Sequence, residues 1–402
     1  MTRRLLLRGG TLGAAVVDVL IEHGTIAAVS PLIDAADAEV HDLTGHVLLP
    51  GFVEPHAHLD KAFLADRVPN PTGDLMGAIE GLESVRHTIT HDDIVERACG
   101  AAKLMSRNGV TSVRTHADTT VGSGLSAVLA LLEAKGRCAS FIDIRVAMLL
   151  EWPLTGPDAA ARHSLAREAV AAGVDVVGGC PHLDPDPRGA VEWLLGFALE
   201  TGLPLDLHAD ENLRPDSCDL EHLADVMIER GVSHPVNASH CVSLSTRSGD
   251  DIRRIADKVA RAGITVTALP QTNLFLQGRG TSTSVPRAIT PVAALRAEGV
   301  TVAAGADNLQ DPFNLMGRGD PLEIASLMVV AAHETPDDAI ALVTTGAASV
   351  VHRRDASLRP GNGADIVAVP ATTLRGAIAT GPLDRFVVHG GVVIADHTRN
   401  RK

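Results

Sequence analysis

Tyrosine is absent from this chain, and with two tryptophans and seven phenylalanines the aromatic share is only 2%. Platforms for single-stranded nucleic acid are built from aromatic faces, so the composition argues against that class of partner. The core has to be made of Val, Leu, Ile and Ala. Cysteine is also sparse. The five residues Cys99, Cys138, Cys180, Cys218 and Cys241 are odd in number, widely spaced and never form a CxxC pair. That argues against a disulfide framework and points to a reducing compartment. Long apolar runs are missing too. The opening MTRRLLLRGG carries three consecutive leucines, too few for a signal-peptide core, and no stretch has the apolar length of a membrane span. Positive charge is in deficit, with a formal net charge of -14. Such a surface repels polyanions, so nucleic acid and anionic membranes are poor partners. The expectation is a cytoplasmic protein.

What is present is a large store of core residues: 45% hydrophobic against 21% charged over 402 residues. That composition suits a folded globular chain. The length fits two or three domains, or one barrel of about 250–300 residues with a satellite. The two ends resemble each other. LLLRGG, AAVVDVLIEHG, TIAAVS and HVLLPG near the start, and PGNGADIVAVP and DRFVVHGGVVIA near the finish, are short β-type runs broken by turn residues. Each set is too small for its own core. Residues 1–50 and 355–402 are therefore expected to form one composite β-sandwich.

The middle, residues 51–354, alternates apolar runs with helical patterns. Strand-like runs fall at 51–58, 110–118, 142–150, 174–180, 203–211, 236–241, 264–273 and 300–308. After GFVEPHAHL and a loop, Ile94, Ala98, Ala101, Ala102 and Met105 recur at helical spacing. Thr90 with Asp93 makes an N-terminal capping signal, and Gly109 a stop. Eight strands alternating with helices predict an α/β fold, a (β/α)8 TIM-type barrel.

In such a barrel, chemistry sits where strands end. The runs end in Pro55-His56-Ala57-His58, His116-Ala117-Asp118, His208-Ala209-Asp210-Glu211, Ser239-His240 and Asp307-Asn308. Residues two apart on a strand share a side, so His56 and His58 can face one point, with His208 and Asp307 arriving from other strands. A lone HxH is common, a strand-end Asp is often a helix cap, and His116 alone reads as a packed polar residue. The joint placement is what argues for a metal site. Three imidazoles and one carboxylate suit Zn²⁺ or Fe²⁺, and such an ion brings the pKa of its water toward about 7.

The segments PGFVEPHAHLDK, VRTHAD, HADE, ASHC, LQGR and GADN, in this order, resemble the cytosine deaminase branch of the amidohydrolase superfamily. The likeness covers essentially the whole chain. It implies that His56, His58, His208 and Asp307 bind one divalent metal, that Glu211 shuttles protons, and that His240 bonds the attacking water or the group being hydrolysed. Asp307 is also a candidate base. Binuclear relatives carry a carboxylated lysine at the end of strand four. VDVVGGC has none, so a single ion, zinc or iron, is expected.

Substrate recognition departs from the branch. Cytosine deaminases read the pyrimidine edge with a glutamine at the end of strand three. Here Leu150 takes that place, and a leucine has neither donor nor acceptor. Glu151 and Trp152 are candidates to replace it, and Gln277, Arg279 and His182 are further candidate pocket residues. Asn308 stands where cytosine deaminases have a second Asp, as in related enzymes that remove alkylamines from triazines. The expected partner is a small heterocycle, and a homo-oligomer is compatible with the chain. The expected reaction is hydrolytic deamination. The alternatives are hydrolysis of a cyclic amide or carbamate, removal of an alkylamine from a triazine, and a non-catalytic binding protein. Glu211 argues against the last.

Overall fold

The computed structural model describes residues 4–353 and 356–396; the expected domain boundary at 354/355 lies outside them. The first five strands, β1 (Leu5–Leu12), β2 (Ala15–Glu22), β3 (Thr25–Ser30), β4 (Glu39–Asp42) and β5 (His46–Pro50), belong to one sheet. The next eight form a second, parallel sheet in strict chain order: β6 (Phe52–Ala57), β7 (Val110–Thr119), β8 (Asp143–Leu150), β9 (Val177–Gly179), β10 (Leu205–Ala209), β11 (Val236–His240), β12 (Thr265–Ala268) and β13 (Val302–Ala304). The last three, β14 (Ile366–Pro370), β15 (Phe386–His389) and β16 (Val392–Asp396), return to the first sheet, where β14 pairs antiparallel with β5. Both ends of the chain thus build one mixed sheet beside a (β/α)8 barrel.

Alternation along β5 and β14 explains how the two units adhere. Leu48, Ile366 and Ala368 face a small core within the terminal sheet. Val47, Leu49, Val367 and Val369, one residue out of phase, pack into the main barrel core. Successive side chains on a strand point to opposite faces, so the same strands serve both cores. Arg385, fully buried between the units, donates Nη1 and Nη2 to the two carboxylate oxygens of Asp320 at 2.8 and 2.7 Å.

The barrel closes between its first and last strands. The regular ladder of β13 stops at Ala304, and closure is made by a bridge between Ala57 and Asp307, with the Asp307 amide donating to the His56 carbonyl at 3.1 Å. Asp307 and His240 both adopt left-handed backbone, with φ of 66° and 70°. Non-glycine residues there carry strain that clusters at functional sites.

Helices cover the outside: α1 (Leu75–Val85), α2 (His91–Arg107), α3 (Ser126–Cys138), α4 (Ala160–Ala172), α5 (Pro187–Thr201), α6 (Asp219–Glu229), α7 (Gly249–Ala262) and α8 (Pro270–Leu276), followed by shorter ones. The expected start of α2 is present: the Thr90 hydroxyl accepts from the Asp93 amide. Two elements differ from the sequence expectation. The seventh run, 264–273, is a strand only to Ala268, because Pro270 has no amide proton for a ladder and is suited to the first turn of a helix, which is α8. The segment read as a loop before α2 contains α1. Its two glycines lower helix propensity, yet the second is required: a Cβ at Gly81 would stand 2.0 Å from the Pro69 carbonyl oxygen.

No helix among the described residues is long and apolar enough to cross a membrane.

Candidate active site

The strand-end residues meet at the mouth of the barrel, buried. His56 comes from β6, His58 from just beyond it, His208 from β10, His240 from the end of β11, and Asp307 from the closure. His56 Nε2 lies 3.1 Å from His208 Nε2, which lies 3.2 Å from His58 Nε2. Asp307 Oδ1 is 3.2 Å from His58 Nε2 and 3.6 Å from His56 Nε2. Neither oxygen of Asp307 has a hydrogen-bond partner among the described residues.

These residues fit a divalent metal. Donors about 2 Å from a tetrahedral ion stand about 3.3 Å apart, and the observed separations bracket that value. A buried carboxylate with no donor is costly unless a cation meets it. A further grouping of His56, His116 and Asp206 fits less well, because Arg114 already donates to Asp206 at 2.7 Å. His116 packs tilted against His56, ring centres 4.1 Å apart, and neither of its nitrogens has a hydrogen-bond partner among the described residues.

Around the quartet, titration is perturbed by burial. Burial, with Asp307 nearby, pushes the Glu211 carboxyl well above the usual range. The same desolvation lowers His240 to about 4, so it is neutral at pH 7. His240 Nδ1 lies 3.1 Å from the Asn273 side-chain oxygen, which can only accept. That places the proton on Nδ1 and leaves the Nε2 lone pair, 4.0 Å from Asp307 Oδ2, facing the site. Glu54, raised by burial to about 8, braces the floor. It accepts from the amides of His56 and Ala306, one on each side of the barrel closure.

A cavity of about 270 Å³ opens above these groups, with His58, His208, Glu211, His240 and Asp307 on its floor. Leu150, Glu151, Trp152 and Asn308 line it as well. Their polar atoms are mostly engaged elsewhere. Glu151 accepts from the Val121 amide at 2.8 Å, and the Asn308 amide donates to Asp311 at 2.8 Å. Gln277 is not among the lining residues; its side chain donates to the Glu211 carbonyl at 3.2 Å. Arg279 stacks on Phe275, and His182 Nδ1 lies 3.0 Å from the His208 carbonyl.

The sequence reading did not single out the charged wall. Lys61 Nζ contacts Asp118 Oδ1 at 2.6 Å, and Arg86 Nη2 contacts Asp118 Oδ2 at 3.0 Å. Burial alone would raise the Asp118 carboxyl, but the two cations outweigh it and hold it low. Lys61 sits in the quoted HAHLDK string and Asp118 ends VRTHAD, so two of the three were in view. Arg86, in a single 3-10 turn after α1, was not, because α1 was not.

The comparisons agree with this architecture. The sequence profile of the amidohydrolase family matches residues 70–393. A pterin deaminase from Rhizobium rhizogenes is 30% identical over 390 residues, 95% of this chain and 88% of that protein. The structure of 5-methylcytosine deaminase from Klebsiella pneumoniae, liganded with phosphonocytosine, superposes with a TM-score of 0.89 at 28% identity, covering 98% of both chains. N-isopropylammelide isopropylaminohydrolase from Burkholderia multivorans gives 0.86 at 30% identity, covering 98% of this chain and 99% of that one. The chain belongs to the amidohydrolase family and is a hydrolase acting on C–N bonds.

Proposed function

We propose that this protein is a metal-dependent hydrolytic deaminase of a small aminated nitrogen heterocycle, with His56, His58, His208 and Asp307 holding one divalent ion. The observation that carries the reading is Glu211. Its carboxylate faces the cavity beside the quartet, accepts no hydrogen bond among the described residues, and is biased toward the protonated form. A structural carboxylate would be satisfied; a proton carrier has to be free.

When bound, a divalent ion in this setting makes water acidic enough to attack at neutral pH. Deamination then needs two proton transfers. As the water oxygen bonds to the ring carbon, His240 Nε2 accepts its hydrogen bond, and Glu211 takes one water proton and passes it to the ring nitrogen. Glu211 then takes the remaining proton from the new hydroxyl on that carbon and passes it to the departing amine. The C–N bond breaks, ammonia leaves, and an oxo group remains on the ring. Zinc or iron would serve, since both accept this donor set.

The substrate side favours a ring larger than a lone pyrimidine. Leu150 offers no amide to a pyrimidine edge, and Glu151, Asn308 and Gln277 are bound to protein partners. The cavity is also lined by the charged Lys61, Asp118 and Arg86 and by the apolar Leu75, Ile79 and Phe313. A flat two-ring heterocycle of the pterin kind would lie against the apolar residues and reach the charged ones. The test is ammonia release from metal-loaded protein against pterins, cytosines, purines and aminotriazines. Turnover of pterins supports the reading, and release of an alkylamine from N-alkylaminotriazines, with no ammonia from any member, overturns it.

A further inference from the structure

Beneath the ligand set lies a buried polar cluster that the reaction above does not use. Ser239 Oγ, on β11, stands 2.9 Å from His56 Nδ1 and 2.9 Å from Asp206 Oδ1. Asn237 Nδ2 reaches both Ser239 Oγ, at 3.0 Å, and Asp206 Oδ1, at 2.7 Å. Arg114 Nη1 donates to Asp206 Oδ2 at 2.7 Å, with His116 Nε2 further off at 3.5 Å. The Asn237 side-chain oxygen accepts from Thr265 and Thr267, which fixes its amide nitrogen toward the cluster. Arg114, Asp206, Asn237 and Ser239 are all buried.

Counting protons decides the direction of each bond. Ser239 has one hydroxyl proton. A carboxylate oxygen can only accept, and Asp206 Oδ1 at 2.9 Å would face a bare lone pair unless that proton points to it. The proton is therefore committed to Asp206. The Asn237 amide is a donor, so Ser239 receives there. Towards His56 the hydroxyl oxygen has only a lone pair left, and the hydrogen between them belongs to the imidazole. Asp206 itself is 3.9 Å from His56 Nδ1, too far to replace Ser239.

We infer that the relay Arg114–Asp206–Ser239 holds His56 as its Nδ1–H tautomer, committing the Nε2 lone pair to the ligand set before any ion arrives. Ser239, Asp206 and Arg114 are positioning residues. Partners of this kind orient metal-binding imidazoles and typically contribute about 10–100-fold in affinity. His58 has no such support: its Nδ1 faces the Lys61 ammonium at 3.2 Å, which supplies no acceptor for a proton. Of the HxH pair, His56 is thus the preorganised member. This inference rests on reading His56 as a metal ligand, while its tautomer can be observed without metal.

The experiment has two arms. In metal-stripped protein labelled with ¹⁵N-histidine, with the His56 signals identified by their absence in His56→Gln, the expected spectrum at neutral pH shows a protonated Nδ1 and a bare Nε2. A protonated Nε2 overturns the inference. In the second arm, zinc affinity is measured by chelator competition on wild type, Ser239→Ala and Ser239→Thr. Ser239→Ala is expected to keep its circular dichroism and bind zinc about 10–100-fold more weakly, with Ser239→Thr recovering most of the loss. Unchanged affinity in Ser239→Ala overturns the inference. A wild type that takes up no zinc or iron sinks the metal reading alone, and the first arm still decides the tautomer.

Discussion

At the scale of single residues, the proposed mechanism separates groups that would hold the metal from a group that would move protons. Glu211→Gln removes the proton carrier but keeps the shape. The expected outcome is normal metal content with kcat lower by about 10²–10⁴-fold, the usual worth of general acid–base catalysis. Metal analysis beside steady-state kinetics checks it, and near-normal kcat would remove Glu211 from its role. Asp307→Ala and His208→Ala should differ in kind, losing metal and turnover together. The distinction follows from position. Asp307 and His208 lie within contact of the other donors, whereas Glu211 faces the space above them.

Two connections between elements lead to expectations of their own. Helix α1 lines the barrel mouth and is tied to it by Arg86, in the turn that follows, which bonds both Glu83 and Asp118. Its Nη1 has no hydrogen-bond partner among the described residues. Arg86→Gln should lower kcat/KM about tenfold through KM, the size of one charge-assisted hydrogen bond, with metal content unchanged. A loss confined to kcat would contradict this. On the outside, α6 and α7 are joined by Glu221, which meets Arg254 and Lys258. The hydrogen bond from Arg254 draws the Glu221 carboxyl from the ordinary 4.5 down to about 2, against the burial that raises it. A carboxyl depressed in the folded state stabilises above its unfolded pKa and loses that contribution as pH falls through the folded one. The stability gap between wild type and Glu221→Gln should therefore be full above about pH 4.5 and vanish near pH 2. It should not exceed about 1 kcal/mol, since the pair is partly exposed. Denaturant titrations across that range measure it.

For the whole molecule, the terminal sheet and the barrel behave as one body because their strands share a core and because Arg385 is buried against Asp320. Breaking one partner of such a pair costs about 3–5 kcal/mol, so Arg385→Met should show a clear drop in thermal stability with the active site untouched. Metal removal tests the opposite end of the barrel. Chelation should abolish turnover reversibly and leave secondary structure intact. Restoring zinc to 100 times its Kd should add about 2.7 kcal/mol to the unfolding free energy. Equal melting temperatures with and without metal would argue against the quartet.

Much of this was legible in the residues themselves. The HxH spacing puts two imidazoles on one side of a strand whatever surrounds it, and polar residues ending successive apolar runs mark the mouth of a parallel barrel. Local signals such as Thr90 capping α2 act over a few residues and are written in the chain. The sequence alone did not reveal α1, whose Gly81 answers to a close contact with Pro69 rather than to helix propensity. Nor did it show that Gln277 stays out of the cavity lining while Lys61 and Arg86, joined through Asp118, enter it. The tautomer of His56 is of the same kind. Ser239 and Asp206 are ordinary strand residues until β10 and β11 pair in register and bring them beneath the site. Spacing along one strand is fixed by the backbone, but the partner of a buried polar group is chosen by packing between strands far apart in the chain, and only the folded structure decides it.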